Sequence, residues 1–131
     1  MVQTYAIELN SSKVWVDADD IIWQDYKLTK SLSLQEAEEI HIAVNEVAAN
    51  VPGEKKLFLS SMVGLLGMSK EARDYFGTAP TQFDWKVALV YNSSMAHILT
   101  MLMLKILVQK FETKSFNNLE TAINWFKEEA A

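Results

Sequence analysis

The stretch WKVALVYNSSMAHILTMLMLKILV, Trp85 to Val108, decides how the rest of the chain is read. WKVALVYN, Trp85 to Asn92, is the best strand in the sequence, and Ser93 or Ser94 then starts a helix reaching to about Gln109. The helical part, MAHILTMLMLKILV, is the greasiest run in a chain whose net charge is -5. It reads as a membrane anchor, a buried core helix, or a helix with one apolar side too many. A membrane span needs about 20 mainly apolar residues. This run is shorter, holds His97, Thr100 and Lys105, and is followed at once by Gln109 and Lys110. It reads as a helix of a soluble protein, and a strand feeding such a helix is half of a crossover unit in an α/β fold.

Upstream the same pattern recurs. KKLFLSS, Lys55 to Ser61, carries an apolar triplet, as in a strand that is central or covered on both faces. Ser33 followed by Glu36 is a capping box. Ala37, Ile40, Val44, Val47, Ala48 and Val51 then recur at helical spacing, with Gln35, Glu38, Glu39 and Asn45 opposite, until Pro52-Gly53 stops the helix. Before it, TYAIELN (Thr4 to Asn10), KVWVD (Lys13 to Asp17) and IIWQDY (Ile21 to Tyr26) read as short strands separated by turns. Ser69 caps a short helix with Ala72, Tyr75, Phe76 and Ala79 on one side, ending near Gly77 and Pro80. Downstream, FETKSF is a last strand. Asn117 with Glu120 opens a final helix whose Leu119, Ala122, Ile123 and Phe126 face inward. Strands alternating with helices predict a mainly parallel sheet with an antiparallel N-terminal edge, packed against helices. The 131 residues fit one domain, 1–131, with a core of its own.

Composition limits the chemistry. At 50% apolar and 22% charged residues, the chain is too apolar for disorder. The absence of cysteine excludes disulfides, thiolate metal sites and cysteine nucleophiles, and fits a cytoplasmic protein. The N-terminus lacks the pattern of a signal peptide. Net negative charge, with tryptophans and tyrosines that do not interleave with a basic patch, argues against nucleic-acid binding. The two histidines, His41 and His97, fall in different helices and outside any metal-spacing motif, and His41 is expected to be lateral or exposed. No phosphate-binding glycine loop and no nucleophile elbow occur. Gly64 and Gly67 read as turn residues, and Asp17, Asp19 and Asp20 as a solvated turn lacking the glycine and closing glutamate of a calcium loop. No catalytic residue, metal or cofactor is expected.

Several motifs agree in order and spacing with one family. Ser61 and Gly64 lie at and after a strand end. SKEARDYF supplies Ser69, Glu71, Ala72 and Arg73, and KVALVYNSS ends in Asn92 and Ser93. KSFNNLETAINWFKEE contributes Phe116, Ala122 and Trp125. Over roughly Lys55 to Glu129 the chain resembles small bacterial proteins with a SpoIIAA-like fold, related to STAS domains. The resemblance implies a sheet with helices packed on it and no particular reaction. In anti-sigma-factor antagonists of that kind, an ATP-dependent kinase phosphorylates a serine at a helix start, which would place a phosphosite at Ser69. Met68-Ser69-Lys70-Glu71 stands here where those proteins carry an Asp-Ser-Ser-Gly signature.

The expectation is therefore a non-enzymatic regulatory or protein-interaction module. At roughly 100° per residue, Met95, Leu99, Leu102, Met103 and Ile106 share the face expected against the sheet. Met101, Leu104 and Val108 fall near His97 and Lys105 on the other side, where a core helix needs no apolar residues. His97, Met101, Leu104, Lys105 and Val108 are thus the expected interface of a homodimer or an unidentified partner. The alternative is a pocket for an apolar small molecule or lipid, closed by the Met95–Val108 helix and the Met62–Met68 loop. Met62, Leu65, Leu66, Met68 and Met101 would line it, near the carboxyl edge of the sheet.

Overall fold

The computed structural model describes residues 5–27 and 30–130. Thr4, the first residue of the first expected strand, lies outside them. The elements run β1 (Tyr5–Glu8), β2 (Ser12–Val16), β3 (Ile21–Tyr26), α1 (Leu34–Ala48), β4 (Lys55–Ser61), α2 (Lys70–Thr78), β5 (Asp84–Val90), α3 (Ser94–Leu107), β6 (Glu112–Phe116) and α4 (Leu119–Ala130). The strands form one six-stranded mixed sheet in chain order, from β1 at one edge to β6 at the other. β1, β2 and β3 pair antiparallel, whereas β3 to β6 pair parallel. The antiparallel N-terminal edge and parallel remainder are as the strand and helix spacing implied.

Local chemistry explains the element ends. Ser33 Oγ accepts from the Glu36 amide and the Glu36 carboxylate accepts from the Ser33 amide, which completes the capping box of α1. Ser69 and Ser93 cap α2 and α3 in the same way, through the Ala72 and Ala96 amides. α4 departs from expectation by one residue. Asn118, not Asn117, accepts from the Thr121 amide at 2.8 Å. In the β2–β3 turn, Asp17 Oδ1 accepts from the Asp19 and Ile21 amides, and Oδ2 accepts from Trp23 Nε1 at 2.8 Å. Asp20 there adopts a left-handed backbone, φ 63°, which a short polar side chain tolerates.

Strand order fixes the layers. Parallel strands added one after another by crossovers of a single hand must carry all their helices on one face. α1, α2 and α3 accordingly share a core with Val14, Val16, Ile22, Val87 and Leu89. The opposite face is closed by α4 alone, whose Ala122, Trp125 and Phe126 pack on Ile21, Leu59, Ala88 and Val90. Leu119, expected to face inward, is exposed, and Trp125 takes the inward position.

The three front helices do not tile the sheet evenly. α1 sits over β1, β2 and β3, and α3 over β5 and β6, while the short α2 packs chiefly against α1 and α3. The gap over β4 is therefore roofed at a distance by α2 instead of being filled by a helix resting on it. Gly77 of α2 marks how closely the roof meets α3, since a Cβ there would lie 2.7 Å from Ile106 Cγ2.

Candidate ligand cavity

The unfilled gap is a cavity of about 110 Å³ between the front face of the sheet and the three helices. Its floor comes from alternate residues of β3, β4 and β5: Gln24 and Tyr26, Phe58 and Ser60, and Trp85, Val87 and Leu89. Residues two apart on a strand share a face, so the strand register alone brings these side chains together. α1 contributes Ile40 and Val44 and, beside them, His41 and Asn45, two adjacent stripes at i, i+4 spacing. Phe76 and Ala79 come from the end of α2, and Met103 and Leu107 from α3. Pro80 and Thr81, both exposed, mark the side that meets solvent. Phe58 is only half-buried although β4 lies inside the sheet, a direct consequence of the gap above it.

The apolar walls enclose a small polar network. Gln24 and Ser60 are buried; Ser60 Oγ donates to Gln24 Oε1 at 2.6 Å, and Gln24 Nε2 donates to Ser12 Oγ at 2.9 Å. Burial pushes the Tyr26 phenol well above its ordinary value, against the opposing effect of hydrogen bonding to Gln24 and Ser60. It is neutral at neutral pH. The partner of Ser60 is an amide oxygen, which takes no proton at neutral pH, so the hydroxyl is held in place and not activated as a nucleophile.

A second polar group lies on the helix side. Asn45 Nδ2 donates to the His41 carbonyl at 2.9 Å and sits 3.2 Å from His41 Nε2. The first bond fixes the amide orientation and leaves Asn45 Oδ1 buried without a partner. Burial, and then the charge of Lys110, hold the His41 imidazole below its ordinary value, with a hydrogen bond to the Pro80 backbone opposing them. Lys110 Nζ donates to the carbonyls of Ala79 at 2.9 Å and Phe76 at 3.4 Å, at the end of α2. Burial lowers its pKa as well.

Of the residues expected to line a pocket, Met62 does so. Leu65 is buried in the front core, Leu66 is exposed, Met68 is half-buried beside its bridge to Leu32, and Met101 does not line the cavity. The helix contributes Met103 and Leu107 instead, because α3 is turned differently from its expected orientation. Its buried residues are Ala96, Leu99, Thr100 and Met103, while Met95 and Leu102, expected against the sheet, are 51% and 37% exposed. Small side chains let the helix approach the strands closely, and Thr100 is tolerated there because its hydroxyl donates to the Ala96 carbonyl at 2.6 Å.

The expected interface residues divide accordingly. His97 is exposed and stacks on Tyr91 at 4.4 Å, Lys105 and Val108 are exposed, Met101 is half-buried, and Leu104 packs against the front core. Ser69 is half-buried, with its hydroxyl engaged as the cap of α2. His41, Asn45, Gln24, Ser60 and Lys110 went unassigned in the sequence. The available signal was a His41/Asn45 pair at i, i+4 beside the apolar stripe, and a polar residue at the core-facing parity of β3 and of β4. Among the described residues no helix is long and apolar enough to cross a membrane.

Residues 14–130 match the family described as Domain of unknown function (DUF7793), and the chain belongs to it. Neither a curated protein nor a solved structure matches the chain.

Proposed function

We propose that this member of the family is a non-enzymatic binding module that takes a small, largely apolar molecule between its sheet and its front helices. The observation that carries this reading is the 110 Å³ cavity over β4, with apolar walls and a buried polar floor. An apolar cavity of about 150 Å³ accommodates benzene, whereas drug-sized ligands occupy roughly 300–1,000 Å³. The size therefore supports a ligand of about one ring, not a lipid with a long acyl chain. Ser60 held by an amide, and His41 facing it from another layer, support binding over catalysis. The kinship with SpoIIAA-like proteins belongs to the same proposal and rests on the motifs from Ser61 to Trp125.

The test is a methyl-resolved NMR titration with neutral ring compounds such as benzene and indole, read at Met62 and Met103. Saturable shifts confined to the cavity are expected. Unchanged Met62 and Met103 signals up to the solubility of the probes would remove the reading.

A second reading, homodimerisation through α3, has its own support. Met95 and Ile98, with Leu102 one turn on, form an apolar stripe that is 51%, 58% and 37% exposed. A two-fold axis would bury such a stripe against its own copy. Light scattering is expected to give the mass of a dimer, and Ile98→Glu a folded monomer. A wild-type monomer at tens of micromolar would exclude it.

A further inference from the structure

The mouth of the cavity contains a cation without an anion. Lys110 Nζ lines the cavity and is half-buried, and the groups it donates to are carbonyl oxygens of Phe76 and Ala79. Among the described residues no carboxylate forms an ion pair with it. The C-terminal end of a helix supplies only a partial negative charge, and two carbonyls engage two of the three ammonium donors. His41, also on the cavity wall, feels the charge of Lys110, and being itself a base it brings no compensating charge. Lys56, buried elsewhere on the front side, also donates to a carbonyl, that of Val51, but it does not line the cavity. The lysines that lie against Asp or Glu, Lys27, Lys30, Lys55 and Lys70, are exposed ones. The two carbonyls and the Phe111 ring, 5.4 Å away, hold the ammonium in place and leave its charge uncompensated by a carboxylate, so an anion entering the cavity beside it gains a charge-assisted partner.

We propose that the ligand of this cavity is a small carboxylate whose apolar body, about one ring in size, lies over Phe58, Val87 and Leu107 while its carboxylate meets the Lys110 ammonium. The inference rests on the cavity reading above and adds the charge and the polarity of the ligand's two ends. An ammonium-to-carboxylate hydrogen bond is charge-assisted, and removal of the ligand's charge should weaken binding by about tenfold or more. Benzoate and a flexible acid of similar size, hexanoate, share the chemistry; the aromatic walls, Phe58, Phe76 and Trp85, favour the ring.

The experiment is a calorimetric titration of the full chain with benzoate, hexanoate, benzyl alcohol and benzylamine, paired with an NMR titration of the His41 imidazole. Benzoate is expected to bind at least about tenfold more tightly than benzyl alcohol, with benzylamine weakest. Bound benzoate offsets the charge of Lys110 and should raise the His41 pKa, whereas benzyl alcohol should leave it in place. Lys110→Met should abolish the preference for the acid and retain binding of the alcohol; Lys110→Arg should keep the preference. Equal binding of benzoate and benzyl alcohol to the wild-type protein would overturn the carboxylate inference and leave the cavity reading intact. Silence from all four compounds would overturn the inference, and the separate titration with benzene and indole then decides the cavity itself. Hexanoate binding more tightly than benzoate would overturn the ring and keep the carboxylate.

Discussion

Val87 and Ala88 are neighbours on β5 and face opposite layers. Val87 forms part of the floor of a cavity over which three helices meet incompletely. Ala88, fully buried, lies under a single helix, with Trp125 and Phe126 packed above it. The back layer closes because large aromatic side chains reach from one helix across several strands. Trp125 stands 5.5 Å from Phe116 and 5.4 Å from Phe126, ring centre to ring centre, and covers the Lys86 ammonium at 4.3 Å. The front layer has more helix and less closure. Its shortest helix bridges the other two and does not reach the strand beneath. How well a face is sealed depends on where side chains reach, not on how many helices lie over it.

Trp125→Ala should break the tight face most severely. Removing a buried tryptophan costs about 3–5 kcal/mol, and urea denaturation should show a loss in that range. A loss below about 1 kcal/mol would mean that the back layer tolerates a void as the front does. The sharper test uses the neighbours on β5. Ala88→Val adds volume where none is free and should cost about 1–3 kcal/mol. Val87→Ile adds a methylene where a cavity awaits it, and should change stability by less than about 1 kcal/mol, in either direction. It should also weaken binding of any ring compound. Equal costs at the two positions would erase the distinction between the faces.

Smaller effects probe how the front helices are held. Ser33→Ala removes half of the capping box of α1 and should cost about 1 kcal/mol, measurable in the same denaturation series. The last test concerns pH. Burial and the nearby Lys110 depress the His41 pKa from its ordinary 6.5 in the folded chain. The unfolded chain therefore binds this proton more readily, so the contribution of His41 to stability is complete above that value. It is lost as pH falls through it toward the lower folded pKa. Stability of the wild type should decline across that window, and His41→Gln should flatten the decline. An identical pH profile in the variant would show that His41 does not face a low-dielectric cavity beside a cation.

The sequence disclosed the elements well where local chemistry governs them. Ser33-x-x-Glu36, Ser69 and Ser93 carry their own capping partners within a turn, and the β3 and β4 spans Ile21–Tyr26 and Lys55–Ser61 agree with their sequence patterns. The antiparallel edge followed by parallel strands was equally legible, since only crossovers connect parallel neighbours. The cavity was legible only in part. The sequence marks Met62 as a wall residue, but the helical pattern puts Asn45 on the outer side of α1 and His41 at its margin or surface, and both line the cavity. A margin residue becomes a wall when the neighbouring helix stands off, and no pattern within α1 says where α2 stands.

The sequence by itself determined the strand and helix succession, the caps and the mixed character of the sheet, because these follow from periodicities and hydrogen bonds spanning a few residues. Only the tertiary structure decided which side of α3 meets the strands. There Ala96 and Thr100, small enough for close approach, won over the larger Met95 and Leu102, which a reading by hydrophobicity places inward. It also decided that β4 has no helix resting on its front face. That outcome depends on the span between α1 and α3 measured against the reach of α2, a distance between elements far apart in the chain. Packing volumes and separations between elements are properties of the assembled layers, and from them come the cavity and the lone cation at its mouth.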